Sequence, residues 1–249
     1  MNDVSRETPP ALPEAPASAR GVFSSDRLPL ITRYAESLAT DGVLRGLIGP
    51  REVPRLWDRH LLNCGALGEL IPEGSTVADV GSGAGLPGLV LAIARPDLHL
   101  TLVEPLLRRT TYLQEVVDAL ELPNVTVVRG KADVLHGKQS FDVVTSRAVA
   151  PLERLLTWSM PLVAPKGALV ALKGSAIAEE IVEARKVLRA FGCAEPEILP
   201  VGEGVIPDPT LAVRVAWADP ARARVGGRVE SASGPRKANG AAKRKQRRR

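Results

Sequence analysis

The chain has 249 residues, 45% of them hydrophobic, which is enough to bury the core of one sizeable domain. It lacks an uninterrupted apolar run of roughly eighteen residues and the basic-then-apolar start of a signal peptide, so a membrane-spanning or secreted class is excluded and a cytoplasmic location is expected. Segment 222–249 carries eleven Lys or Arg against one acid, Glu230, so the +5 total leaves residues 1–221 with 22 basic and 27 acidic side chains, a net acidic body.

Residues 1–24 are rich in Pro, Ala and Ser without an apolar period, and a disordered leader is expected there. From Ser25 to Leu70 apolar residues recur at helical spacing, as in Leu30, Ile31, Tyr34 and Leu38, then Leu56, Trp57, Leu61, Cys64 and Leu67. Two or three helices over 25–71 follow. Beyond Pro72 short apolar runs alternate with amphipathic segments, the mark of βαβ units and a mostly parallel sheet. Strands are predicted at 76–80, 99–104, 125–129, 141–146 and 168–173, with a closing pair near 195–199 and 211–217. Helices are predicted at 86–94, 107–120, 151–160 and 177–191. The outcome is an α/β domain over 25–221, with seven strands, an N-terminal helical extension and a disordered basic tail over 222–249.

The strongest local signal is Asp79-Val-Gly-Ser-Gly-Ala-Gly-Leu-Pro-Gly88, between a strand and a helix. Gly81, Gly83 and Gly85 let the backbone turn sharply and approach a ligand closely. The loop reads in two frames. Gly83, Gly85 and Gly88 satisfy the G-x-G-x-x-G dinucleotide pattern, with Glu104 about 20 residues further on for the ribose. In the other frame Asp79 precedes the glycines by the spacing found in S-adenosylmethionine enzymes. A carboxylate there attracts a sulfonium and an ammonium and repels two phosphates, so adenosylmethionine is the expected ligand. Glu104 is placed to accept from both ribose hydroxyls. Ala132 and Asp133 follow the third strand, where adenine would lie, though a loop aspartate also serves as a helix cap.

Arg147, ending the fourth strand, is a candidate substrate-positioning residue that could stack on a base or donate to it, and Lys173, ending the fifth, is a candidate phosphate holder. Arg59 and His60 are expected to point to the cleft or to solvent as RNA contacts, with Lys243, Arg244, Lys245, Arg247, Arg248 and Arg249 of the basic tail adding long-range attraction to RNA. Cys64 and Cys193 lie in no Cys-x-x-Cys pair, and no His, Cys and Asp cluster has metal spacing, so neither a zinc ribbon nor a metal centre is expected.

Four motifs carry a family resemblance: Leu56-Trp-Asp-Arg-His-Leu-Leu-Asn63, the loop from Asp79 to Gly88, Phe141-Asp-Val-Val-Thr-Ser-Arg-Ala-Val-Ala-Pro151, and Leu172-Lys-Gly174. In this order they resemble the bacterial small-subunit ribosomal RNA methyltransferase G family, also called glucose-inhibited division protein B, over roughly 28–215. The resemblance implies a Rossmann-like class I methyltransferase fold with helices on both faces of the sheet. It implies transfer of a methyl group from S-adenosylmethionine to N7 of one guanine in the decoding-region loop of 16S rRNA, with naked RNA or the small ribosomal subunit as the substrate; a monomer is expected. It places cofactor contacts on Gly81, Leu86, Ala132, Asp133 and Arg147. The family often has Glu where Asp133 stands, and the shorter acid bears on the adenine contact.

Guanine N7 has an in-plane lone pair and needs no general base, and Ser146 to Pro151 indeed lacks the Asn- or Asp-Pro-Pro-aromatic motif of amino-group methyltransferases. Two other classes compete. A nicotinamide-dependent oxidoreductase would need a hydride-handling His or Tyr-Lys set, for which no candidate stands out. A non-enzymatic RNA-binding assembly factor would have no use for an intact cofactor loop.

Overall fold

The computed structural model describes residues 11–147 and 149–223. The expected basic tail therefore lies, beyond residue 223, outside the described residues, as do residues 1–10 of the expected leader.

The rest of that leader is a correction. Helix α1 (Ala19–Val22) and the following Phe23 pack into the molecule, Ala19 and Phe23 each being 1% exposed. A side chain on Gly65 would stand 2.4 Å from Val22 Cγ1 and 2.9 Å from Phe23 Cζ, so the glycine makes the socket. Trp57 Nε1 donates to Pro13 O at 3.0 Å. Two apolar anchors inside a Pro- and Ala-rich stretch form no period, so nothing local announced them.

Helix α2 (Leu28–Ser37) buries Ile31, Tyr34 and Ala35 and runs into a π-helical turn, Leu38–Gly42. The second expected helix is composite. A 3-10 segment, Pro50–Arg55, contains Pro54, which has no N–H for a helical bond; a π-helical turn, Leu56–Leu61, then leads into α3 (Leu62–Ala66) and a 3-10 turn, Leu67–Leu70.

The sheet contains β1 (Thr76–Val80), β2 (His99–Glu104), β3 (Val125–Arg129), β4 (Phe141–Arg147), β5 (Val163–Lys173), β6 (Glu197–Val201) and β7 (Thr210–Ala216). Their order is β3-β2-β1-β4-β5-β7-β6, parallel except that β7 runs antiparallel to β5 and β6. Between them lie α4 (Gly88–Ala94), α5 (Leu107–Ala119), α6 (Leu152–Ser159) and α7 (Ile177–Phe191). This is the expected seven-stranded, mostly parallel α/β architecture. Strand β5 begins five residues before the expected Ala168 because a register shift between Phe141 and Val143 absorbs Pro165. Strand β6 carries Pro200, which its edge position tolerates.

The two-residue period of the strands divides the interior into two layers. Val77, Leu100, Leu102, Val143, Val170 and Leu172 pack with the N-terminal helices, α4 and α5. Their neighbours Ala78, Val103, Val144, Leu169 and Ala171 pack with α6 and α7. Apolar residues on both faces of a parallel sheet need helices on both. Strand order reverses between β1 and β4, and in open parallel sheets the crevice beyond such a reversal, at the strands' carboxyl ends, is where ligands bind.

Candidate active site: a cleft at the carboxyl edge of the sheet

A cleft of about 710 Å³ opens at that position. Its walls include Gly81, Gly83 and Leu86 of the glycine loop, Glu104 at the end of β2, Ala132 and Asp133 after β3, and Arg147 at the end of β4. Residues from four strand ends that the sequence singled out thus meet in one place. The cleft also takes in Ile48, Arg109, Val149 and Trp158, which sequence reasoning missed because only tertiary packing brings them there.

The glycine loop is braced from below. Gly81, Gly83 and Gly85 have φ of +75°, +59° and +102°, the left-handed region that penalises a side chain. Tyr34, wholly buried, donates to Ala84 O at 2.7 Å. Its position on an apolar helical stripe identified it only as core.

Asp79 differs from its expected role. It is 0% exposed and absent from the cleft wall, because it shares the face of β1 with Val77, and α4 covers that face. Its Oδ2 accepts the Gly88 N–H at the start of α4 at 3.0 Å, while Oδ1 is buried without a partner. Burial raises the Asp79 carboxyl to about 7, the Gly88 bond working against the shift. Direct contact between Asp79 and a cationic ligand is replaced by a structural brace.

The discrimination between cationic and diphosphate ligands rests elsewhere. A dinucleotide loop offers free backbone N–H groups to the pyrophosphate. Here those of Gly81 and Ser82 donate to Val103 O, that of Gly83 to Glu104 Oε2, those of Gly85 and Leu86 to Ser82 O, and that of Gly88 to Asp79. Most of the loop's donors are spent, that of Ala84 being the exception among those in the cleft wall, and a carboxylate lines the cleft as well. Glu104 is 2% exposed, and its Oε1 accepts the Leu106 N–H at 3.0 Å. Each oxygen accepts about two hydrogen bonds, so Oε1 keeps a lone pair for a ligand hydroxyl. Arg109 Nη1 approaches Oε2 at 3.4 Å.

Asp133 lies in a 3-10 turn, Ala132–Val134, that has no side-chain cap, so the capping role weighed for it does not apply; it is exposed and lines the cleft. Arg59 is exposed, consistent with an outward-facing residue. His60 is 7% exposed, and its ring is engaged on both sides, Nε2 with Glu52 Oε2 at 2.8 Å and Nδ1 with Arg147 Nη2. An imidazole so held is not an open RNA contact. The signal was present: His60 stands four residues after Leu56, on the same buried stripe. Burial, followed by the Arg147 charge, lowers His60 to about 4.

Lys173 is also a correction. Its Nζ donates to Glu180 Oε2 at 2.6 Å and to Ala150 O at 2.9 Å, with 8% of the side chain exposed, and it is absent from the cleft wall. Glu180 Oε2 accepts the Leu152 N–H at 2.7 Å as well. The lysine ties the segment after β4 to α7, and its ammonium is buried away from the cleft rather than presented to a phosphate. Cys64 is buried behind Arg147, and burial raises its thiol to about 11, which removes it as a nucleophile. Among the described residues no group of three or more His, Cys, Asp or Glu could hold a metal ion, and no helix is long and apolar enough to cross a membrane.

Comparison with known proteins agrees with this geometry. The profile of the family described as GidB, rRNA small subunit methyltransferase G, matches residues 27–203. A protein of Nocardioides sp. named ribosomal RNA small subunit methyltransferase G is 64% identical over 221 residues, covering 89% of this chain and 87% of its own. A Streptomyces avermitilis protein of the same name is 58% identical over 205 residues, covering 82% and 86%. Among solved structures, M. jannaschii TYW2 in complex with AdoMet shares the fold at a TM-score of 0.51 and 18% identity, over 65% of this chain and 76% of that one. A profile that matches most of the chain, and relatives more than half identical along nearly their whole length, leave one conclusion: the chain belongs to the rRNA small subunit methyltransferase G family.

Proposed function

We propose that the chain is an S-adenosylmethionine-dependent methyltransferase of 16S rRNA, that it acts on N7 of one guanine in the decoding-region loop, and that it works in the cytoplasm as a monomer. The observation that carries the cofactor assignment is the glycine loop, most of whose N–H donors are already bonded within the protein, beside the Glu104 carboxylate that lines the cleft. That arrangement suits a ribose and a cation and leaves little for a diphosphate, which speaks against the nicotinamide reading.

When bound, S-adenosylmethionine supplies a methyl group on a sulfonium, an electrophile that needs no further activation. Of the residues that line the cleft, Gly81, Gly83 and Leu86 would hold the cofactor's methionine part, Glu104 would accept from its ribose hydroxyls, and Ala132 and Asp133 would meet its adenine. Arg147 has five N–H donors, and those not used on His60 and Arg59 O serve the cofactor and O6 of the guanine. Both His60 nitrogens are occupied and its basicity is depressed, so the one described imidazole in the cleft wall is no general base. A nucleophile with its own lone pair, such as guanine N7, fits a site whose residues position rather than deprotonate.

Mass mapping of 16S rRNA tests the assignment. Cells lacking the protein should lose one methyl group from one guanine of that loop and regain it when the gene is restored, while calorimetry of the purified protein should detect adenosylhomocysteine and not NAD. An unchanged methylation map refutes the substrate, and tight NAD binding refutes the cofactor.

Segment 222–249, with its eleven cations on a net acidic body, supplies long-range attraction to RNA in this reading. Each phosphate contact releases counterions, so affinity falls steeply with salt. Removing the segment should weaken RNA binding at low salt, flatten the dependence of log K on log salt and leave adenosylhomocysteine affinity alone. Superimposable salt titrations of the two forms would rule out that role.

A further inference from the structure

We infer that Glu52 and His60 are positioning residues for Arg147, holding its guanidinium in the cleft wall before any ligand arrives; this rests on the cofactor role proposed for Arg147. The two halves of the arrangement come from opposite parts of the chain. Arg147 ends β4, whereas Glu52 and His60 belong to the composite helix of the N-terminal extension, His60 in its π-helical turn.

The hydrogen-bond chemistry permits one arrangement of protons. A guanidinium has donors only, so the His60 Nδ1 that meets Arg147 Nη2 must be an unprotonated acceptor. The ring then carries its proton on Nε2 and donates it to Glu52 Oε2 at 2.8 Å. Glu52 is held below the usual carboxylate range first by this bond, and burial keeps the imidazole neutral. Carboxylate, tautomer and guanidinium are therefore fixed in series, much as a carboxylate orients the histidine of a catalytic triad. The same turn fastens the second arm of the fork, Arg147 Nη1 donating to Arg59 O at 3.4 Å.

An arginine loses considerable rotamer freedom when it is immobilised. Holding it in place in advance shifts that cost from ligand binding to folding. Losing the His60 contact should therefore weaken ligand binding by on the order of tenfold. Cys64, whose thiol lies 3.8 Å from Nη1, is too weak an acceptor to replace it.

The test uses the full chain, adenosylhomocysteine calorimetry and methyl transfer to 16S rRNA. His60→Phe keeps a planar ring and removes both nitrogens; it should lower adenosylhomocysteine affinity about tenfold. His60→Asn, whose Oδ1 can stand where Nδ1 stood, should recover most of it. Introduced into Arg147→Met, His60→Phe should add no further loss, an outcome a merely structural histidine would not produce. Glu52→Leu, at a part-exposed position, should give a smaller loss of about threefold and keeps the test alive if His60→Phe does not fold. Unchanged affinity in Arg147→Met sinks both the cofactor role of Arg147 and this inference. Loss in Arg147→Met together with no loss, or an equal additional loss, from His60→Phe sinks the positioning role alone.

Discussion

Gly85→Ala lowers the melting temperature by roughly 10 °C, whereas Gly83→Ala melts within a few degrees of the parent and loses most of its affinity for adenosylhomocysteine. Two glycines two residues apart in one loop are thus expected to fail in different ways, because their missing side chains point to different places. At Gly85 the backbone has φ +102°, and a methyl group would stand 2.4 Å from Leu89 Cδ1 and 2.8 Å from Tyr34 Oη. Leu89 belongs to the first turn of α4 and Tyr34 is wholly buried while holding Ala84 O, so neither retreats without disturbing its neighbours. Backbone strain of about 1–3 kcal/mol and overpacking of similar size add up, and each kcal/mol moves the midpoint of a domain this large by about 2–4 °C. At Gly83, φ is +59° and the nearest atom to an added methyl group is Gly81 O at 3.8 Å. The strain there is only about 1–2 kcal/mol, and the methyl group occupies ligand space because Gly83 lines the cleft. Circular-dichroism melts and calorimetry on both variants decide the matter. Equal melting temperatures, or normal binding by Gly83→Ala, would contradict the placement of the loop.

The second large effect is a pH dependence. Burial raises Asp79 to about 7 in the folded protein, against about 3.9 in an unfolded chain. A carboxyl group raised in this way contributes stability that is complete below about pH 4 and is lost as pH rises towards 7, because the folded state keeps a proton that the unfolded chain releases. The span is on the order of 4 kcal/mol. His60 works in the opposite sense: lowered to about 4, it contributes stability present above its ordinary value near 6.5 and lost as pH falls through that interval. Wild-type stability therefore carries two opposed slopes between about pH 4 and 6.5. Asp79→Asn removes one of them. Asparagine can still accept the Gly88 N–H, but its amide N–H groups then occupy the buried corner where Oδ1 has no partner, a pH-independent cost of about 1–3 kcal/mol. The variant should gain on the parent steadily from about pH 4 to 7 and hold that gain above. Urea unfolding of both proteins at pH 5 and pH 8 measures it, and parallel stability curves would overturn the raised, buried carboxyl of Asp79.

Much of the architecture is legible in local chemistry. All seven strands lie within a few residues of their predicted positions, because a two-residue apolar period on both faces admits little else between helical segments. Glu104, Gly81, Gly83, Leu86, Ala132, Asp133 and Arg147 converge as expected, since a parallel sheet brings the carboxyl ends of neighbouring strands to one edge. Boundaries moved where proline obscured a strand, at Pro165 and Pro200, and there the bulge and the edge position supplied the missing tolerance.

What the amino-acid sequence determined by itself was the succession of elements, the glycine loop and the family motifs, all set by interactions among residues a few positions apart. Tertiary structure alone decided what the polar side chains meet. Asp79 turned under α4, Lys173 closed on Glu180 and Ala150, Phe23 found Gly65, and His60 met Arg147 across 87 residues of chain. The reason is the same in each instance: a buried polar or apolar group is stable only with its partner, and the partner's identity is a property of packing that no local pattern encodes.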